Sequence, residues 1–170
     1  LHLDIETYCD APLSDVGVYR YADDPSFEIL LFAYAFDGEA VRVVDLAQGE
    51  KLPRRVIGAL LDPAVTKSAF NAQFERVCFS RHLGRPLDPE GWRCTMAHAW
   101  SLGLSGGLGH VAQALGLPQD KQKMFIGKNL IRHFSVPRKP SAANGHVTRY
   151  RPYNSPLEWD LFKQYCAQDV

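Results

Sequence analysis

The feature that most narrows the fold is a pair of β-rich runs meeting across Asp37-Gly38. Residues 28–36 and 39–46 are dense in Ile, Leu, Val, Phe and Tyr, and Asp-Gly between such runs is among the strongest local signals for a β-hairpin. Residues 1–5 read as a further, buried strand and 65–70 as a short one, ending at Asn71 as a helix N-cap. Between the first strand and the hairpin, residues 11–27 carry Pro12, Ser14, Gly17 and Pro25 and read mostly as connection. Residues 53–61 suit a helix with proline in its first turn. After Asn71 the pattern turns helical: a helix to about residue 83, then 92–102, 107–115, 121–134 and 157–170. Residues 103–107 are a glycine-rich turn, lacking the Gly-Lys-Ser/Thr ending of a phosphate loop, and 137–156 are loop. The expected architecture is α/β, with antiparallel strands on one side of the sheet and a parallel strand beside the first.

Three short acidic motifs carry the chemistry. Asp4-Ile5-Glu6-Thr7 follows an apolar start, so on a strand Asp4 and Glu6 share a face. Asn71-Ala72-Gln73-Phe74-Glu75 opens a helix, and its acid suits the positive helix start. Tyr165-Cys166-Ala167-Gln168-Asp169 closes the chain, with Tyr165 and Asp169 four apart on one helical face. Each motif alone has an ordinary structural reading, as a strand end, a helix cap or a packing tyrosine. Together they bring four acids that would repel one another unless a cation lay among them. An all-oxygen donor set suits a hard ion such as Mg²⁺ or Mn²⁺, and two such ions can clamp the attacking and leaving oxygens of a phosphodiester.

In order and content these motifs resemble the DEDD superfamily of 3′–5′ exonucleases, tyrosine subclass. The likeness is strongest to the proofreading domain of phage-type family A DNA polymerases, and it spans nearly the whole chain. Cys94-Thr95-Met96 is similar to the Asp-Thr-Met that opens a helix in those domains, and residues 102–117 to their leucine-rich segment. Two positions depart: Glu75 and Cys94 stand where many relatives have Asp, while Gln164 excludes the histidine subclass. The resemblance implies a ribonuclease H-like fold and hydrolysis of DNA from the 3′ end to nucleoside monophosphates with two Mg²⁺ ions, for which Mn²⁺ can substitute. It implies that Asp4 bridges both ions, that Glu6 and Asp169 complete the first, and that Glu75 holds the second directly or through water. Tyr165 would orient the attacking water, and Thr7 and Asn71 would meet the terminal nucleotide. The implied partners are single-stranded or frayed DNA 3′ ends and a covalently linked polymerase domain downstream. Trimming of RNA 3′ ends, or an inert exonuclease-like module that binds DNA or braces a polymerase, would share the same motifs.

Composition enters through its unevenness. Net charge is zero over 170 residues, yet residues 118–153 hold eight basic residues against Asp120, a net +7 that leaves −7 elsewhere. Lys121, Lys123, Lys128, Arg132, Arg138 and Lys139 are the densest part. Their expected role is to attract a phosphate backbone, the alternative being a solvated face. Tyr8, Phe125 and Phe134 offer rings for base stacking, with core packing the competing reading, and His133 and His146 lie within reach of the same segment. Cys9, Cys78, Cys94 and Cys166 lack zinc-ligand spacing and read as reduced thiols. No apolar run reaches the roughly 20 residues of a membrane span. The expectation is one cytoplasmic domain over residues 1–170, cut from a longer polymerase chain.

Overall fold

Strand β1 (His2–Tyr8) lies at the centre of a five-stranded mixed sheet, ordered β3-β2-β1-β4-β5. The computed structural model describes residues 1–117 and 127–170. On one side β1 pairs antiparallel with β2 (Glu28–Ala35), which turns through Asp37-Gly38 into β3 (Arg42–Asp45). Gly38 takes φ 77°, which the tight turn needs and glycine adopts without steric cost. On the other side β4 (Lys67–Ala69) runs parallel to β1 and to β5 (Trp92–Cys94). This mixed sheet flanked by helices is the expected α/β, ribonuclease H-like arrangement.

Each face of the sheet buries its own core. Leu3 and Ile5 of β1, with Ile29, Phe32 and Tyr34 of β2, face Val56 and Leu60 of α2 (Arg54–Leu61) and Phe79 of α3 (Ala72–His82). Leu30, Leu31 and Ala33 face α6 (Gly127–Phe134) and α7 (Pro156–Gln168). The neighbours Leu30 and Leu31 share a face because the β1–β2 register slips between Glu6 and Thr7, leaving Leu30 as the extra residue of a bulge. Helices α4 (Thr95–Ser101) and α5 (Leu108–Ala114) complete the described chain.

Three readings of the sequence are corrected. Residues 11–27 are not mostly connection: α1 (Leu13–Asp23) forms there, started by Asp15 and Val16 N–H groups donating to the Pro12 carbonyl and kinked at Gly17. Residues 92–94 belong to a strand rather than a helix, because pairing with β4 overrides local periodicity. Asn71 precedes α3, but its side chain does not cap it; its backbone is left-handed at φ 80°, and its carbonyl accepts the Phe74 N–H at 2.8 Å. Of the helix expected over 121–134, 127–134 is helical and the remainder lies outside the described residues.

Helix α7 is seated by one polar contact and a run of rings. The Trp159 indole donates to buried Asp45 at 2.7 Å, and Gln48 donates twice more to that carboxylate. Phe134 meets Trp159 edge-on and stacks on Phe162, which stacks in turn on Tyr165. A hydrogen bond to a charged acceptor is worth about 1.5–3 kcal/mol. Trp159→Phe keeps a ring but loses this donor, so urea unfolding should show about that loss of stability, and an unchanged midpoint would show that packing alone seats α7.

Candidate active site

Alternation along β1 sends Leu3 and Ile5 into one core and Asp4 and Glu6 to the opposite face, beneath α7. From α7, Cys166 directs its thiol to Asp4 Oδ2 at 3.8 Å. Tyr165, one residue earlier, hydrogen-bonds Asp169 one helical turn on, which is the i, i+4 relation read from the sequence. Tyr165 is almost wholly buried. Burial first, then the charges of Asp169, Glu6 and Asp4, raise its pKa far above the ordinary tyrosine value. The phenol is therefore protonated at any physiological pH.

Glu75 comes from the first turn of α3. It is 3% exposed, and among the described residues its Oε2 has no hydrogen-bond partner. Burial, then the negative charge of Asp4, hold this carboxyl well above the usual carboxylate range, against the pull of its own backbone N–H. Cys94 also acts on Glu75 electrostatically. The Cys94 sulfur caps α4 by accepting the Ala97 N–H at 3.5 Å. Burial raises that thiol, but the N–H groups of Ala97, Ala72, Asn71 and Met96 outweigh it and bring the pKa below the ordinary value. Position 94 is thus a sulfur set among backbone donors where the resemblance leads one to expect a carboxylate.

Asp4 is the common element, acting on Glu75, Tyr165 and Cys166 together. The structure therefore brings the three acidic motifs into one neighbourhood. Among the described residues, no three His, Cys, Asp or Glu side chains are arranged as ligands of one metal ion. The donor chemistry nonetheless fits a hard divalent cation. All four acids offer only oxygen, and the orphaned Oε2 of Glu75, raised by the charge of Asp4, is an atom that a cation would satisfy.

Beside the acids lies a cleft of about 430 Å³ whose lining includes Glu6, Thr7, Phe74, Ile131, Val136 and Pro137. The Thr7 hydroxyl is paired with that of Tyr21 at 2.8 Å. A roomier groove of about 570 Å³ between Asp24 and Leu83 contains none of the four acids, so chemistry rather than size assigns the site. Gly127, which the sequence offered no reason to single out, packs against the Tyr165 ring so tightly that a Cβ there would overlap it.

The basic residues divide. Arg149 and Arg151 pair with Glu28 at 2.7 and 3.3 Å, and the Arg149 guanidinium lies over Tyr8. Lys128, Arg132 and Lys139 are exposed, while Arg138 is half-buried against Tyr150. Lys121, Lys123 and Phe125 lie outside the described residues. Phe134 is core, and Tyr8 is buried beneath Arg149, so neither ring is open to a base. His133 stacks on Tyr150 and bonds Ser155. All four cysteines are free thiols.

Against known proteins, no family model matches the chain, and neither does any solved structure. Over all 170 residues it is 52% identical to a protein named DNA polymerase from Bacillus phage SP02, of whose length it spans 26%. The chain is therefore related to a region of a DNA polymerase. No helix among the described residues is long and apolar enough to cross a membrane.

The raised carboxyl of Glu75 has a pH signature. Unfolded, it loses its proton near about pH 4.3; folded, it holds the proton to higher pH. Stability is therefore greatest, as far as this group is concerned, below the unfolded pKa, and falls as pH rises through the folded one. In chelator, Glu75→Gln should melt higher than the parent at neutral pH, with the gain disappearing below about pH 4. A gain independent of pH would disprove ionisation of the buried carboxyl as its origin.

Proposed function

We propose that this chain is a metal-dependent 3′–5′ exonuclease module that removes nucleotides from single-stranded or frayed DNA 3′ ends in the service of a DNA polymerase. The observation that carries the reading is the convergence on Asp4 of a buried, unsatisfied glutamate from α3 and a protonated Tyr165–Asp169 pair from α7. The 52% identity to a phage DNA polymerase over the whole chain supports the polymerase part of this reading.

Asp4, Glu6, Glu75 and Asp169 are the residues that would hold divalent ions. When bound, Mg²⁺ or Mn²⁺ supplies positive charge to the attacking and leaving oxygens of the phosphodiester. The cleft beside Glu6 and Thr7 receives the terminal nucleotide, its apolar wall of Phe74, Ile131, Val136 and Pro137 facing the base or sugar. Water attacks phosphorus, the bond to the 3′ oxygen breaks, and a nucleoside 5′-monophosphate leaves. The Tyr165 hydroxyl, oriented by Asp169 and unable to ionise, positions that water by hydrogen bonding. Its burial among aromatic rings restricts the rotamers through which a misplaced hydroxyl would be lost.

Two sets of variants test the reading on a 5′-labelled oligonucleotide. Asp4→Ala and Asp169→Ala should remove nearly all hydrolysis while the fold survives; excess EDTA should abolish hydrolysis by the parent. Full activity in EDTA would overturn the metal requirement.

Tyr165→Phe should slow hydrolysis by up to about 10²-fold. Gly127→Ala, which forces the ring to move, should slow it in the same direction without any change at residue 165. Full activity in both would reduce Tyr165 to packing.

A further inference from the structure

We propose that the pocket formed by Arg132, Arg138, Lys139, Asn144 and Tyr150 binds a backbone phosphate of the strand upstream of the nucleotide held at the acids, so that the enzyme grips a single strand at two points. This rests on the reading of the acidic cleft as the strand-end site.

Four observations converge on it. First, the two cavities are neighbours: Val136 and Pro137 line both the cleft beside Glu6 and the basic pocket, a cavity of about 520 Å³. A strand leaving the cleft over this ridge enters the basic pocket next. Second, no acidic residue lines that pocket, and residues 127–155 contain neither Asp nor Glu. Third, its cations are not spent on protein acids. Arg149 and Arg151 are engaged by Glu28, whereas no ion pair involves Arg132, Arg138 or Lys139 among the described residues.

Fourth, Arg138 is built into place before any ligand arrives. Its backbone N–H donates to the Thr148 carbonyl at 2.7 Å, and its guanidinium lies 4.3 Å over the Tyr150 ring. His133 also packs on Tyr150, stacked at 4.3 Å and 18°. The guanidinium also approaches His133 Nδ1 at 3.4 Å. Burial, then the charge of Arg138, lower the His133 pKa, so the imidazole is neutral and can accept there while its Nε2 side bonds Ser155. Among the described residues the Arg138 Nε–H is buried and unsatisfied. A guanidinium fixed in one plane suits the tetrahedral oxygens of a phosphodiester. Arg132 and Lys139, both exposed, add charge at the rim.

The test measures binding of a fluorescent oligothymidylate to the intact chain in EDTA, where hydrolysis does not interfere, over a range of salt. Each lost phosphate contact flattens the log–log salt dependence of single-strand binding by about 0.7. Arg132→Ala/Lys139→Ala should therefore weaken binding and lower the slope by about 0.7, so that raising salt from about 50 to about 200 mM weakens the variant about 2.6-fold less than the parent. Arg138→Lys, which keeps the charge but loses the fork, should weaken binding while leaving the slope near the parental value. Lys51→Ala/Arg54→Ala removes two exposed charges outside the pocket and should alter neither quantity. A pocket double variant with parental affinity and slope would overturn the proposal, as would a Lys51/Arg54 variant losing as much. Hydrolysis of the same oligonucleotide by the parent with Mg²⁺ is scored separately. Its absence would refute the exonuclease reading, and a flattened slope in EDTA would still establish the phosphate site.

Discussion

Like charge held close together at the middle of the sheet is the constraint around which this molecule is organised. Asp4 sits on the central strand, and Glu75, Tyr165 and Cys166 all register its charge. Burying a carboxylate without a partner is costly enough that the group gives up ionisation instead. Glu75 follows that course, with its pKa raised and Oε2 unsatisfied. A fold selected for stability alone would place an apolar residue there. The divalent ions of the proposed function would supply the charge that such a cluster lacks.

Holding such a cluster open requires rigid surroundings. On one side the sheet supplies them, since β1 is paired along both edges. On the other, α7 is fixed by the Trp159–Asp45 hydrogen bond and by the ring sequence Phe134, Trp159, Phe162, Tyr165. The last ring of that packed series is also the hydroxyl beside the acids. Core packing and site geometry are therefore one structure at Tyr165, and Gly127 belongs to both because only a residue without a side chain leaves room for the ring.

Positive charge is gathered in a different part of the chain. The segment after α6 is strapped to the sheet by Arg149 and Arg151 on Glu28, and by Arg149 over Tyr8. This frees Arg132, Arg138 and Lys139 to face outward together across the Val136–Pro137 ridge from the acids. Separation of the two charge types lets repulsion at the acids and attraction beside them coexist without mutual neutralisation.

Much of this was legible from residue order alone, because the signals were local. The Asp37-Gly38 hairpin, the strand read over residues 1–5 and the i, i+4 pairing of Tyr165 with Asp169 depend on periods of two and 3.6 residues that any reader of the sequence can apply. The acidic motifs could be grouped by their resemblance to a family, but their distribution over β1, α3 and α7 could not be seen as a single neighbourhood until the chain was folded. Where local rules failed, a distant partner had intervened. Residues 92–94 became a strand because β4 offered an edge, and Pro12 and Gly17 marked the start and kink of a helix rather than its absence. Tertiary structure alone decided that Glu75 would be buried without a partner, that Gly127 would lie against Tyr165, and that Arg149 and Arg138, eleven positions apart, would have opposite fates. The first meets an acid from β2 and becomes a strap, whereas the second meets the rings of Tyr150 and His133 and no acid among the described residues. Residue order supplies the ionisable groups; only the assembled fold determines what stands next to each and so whether it ionises, because electrostatic energy depends on separation and on the water excluded.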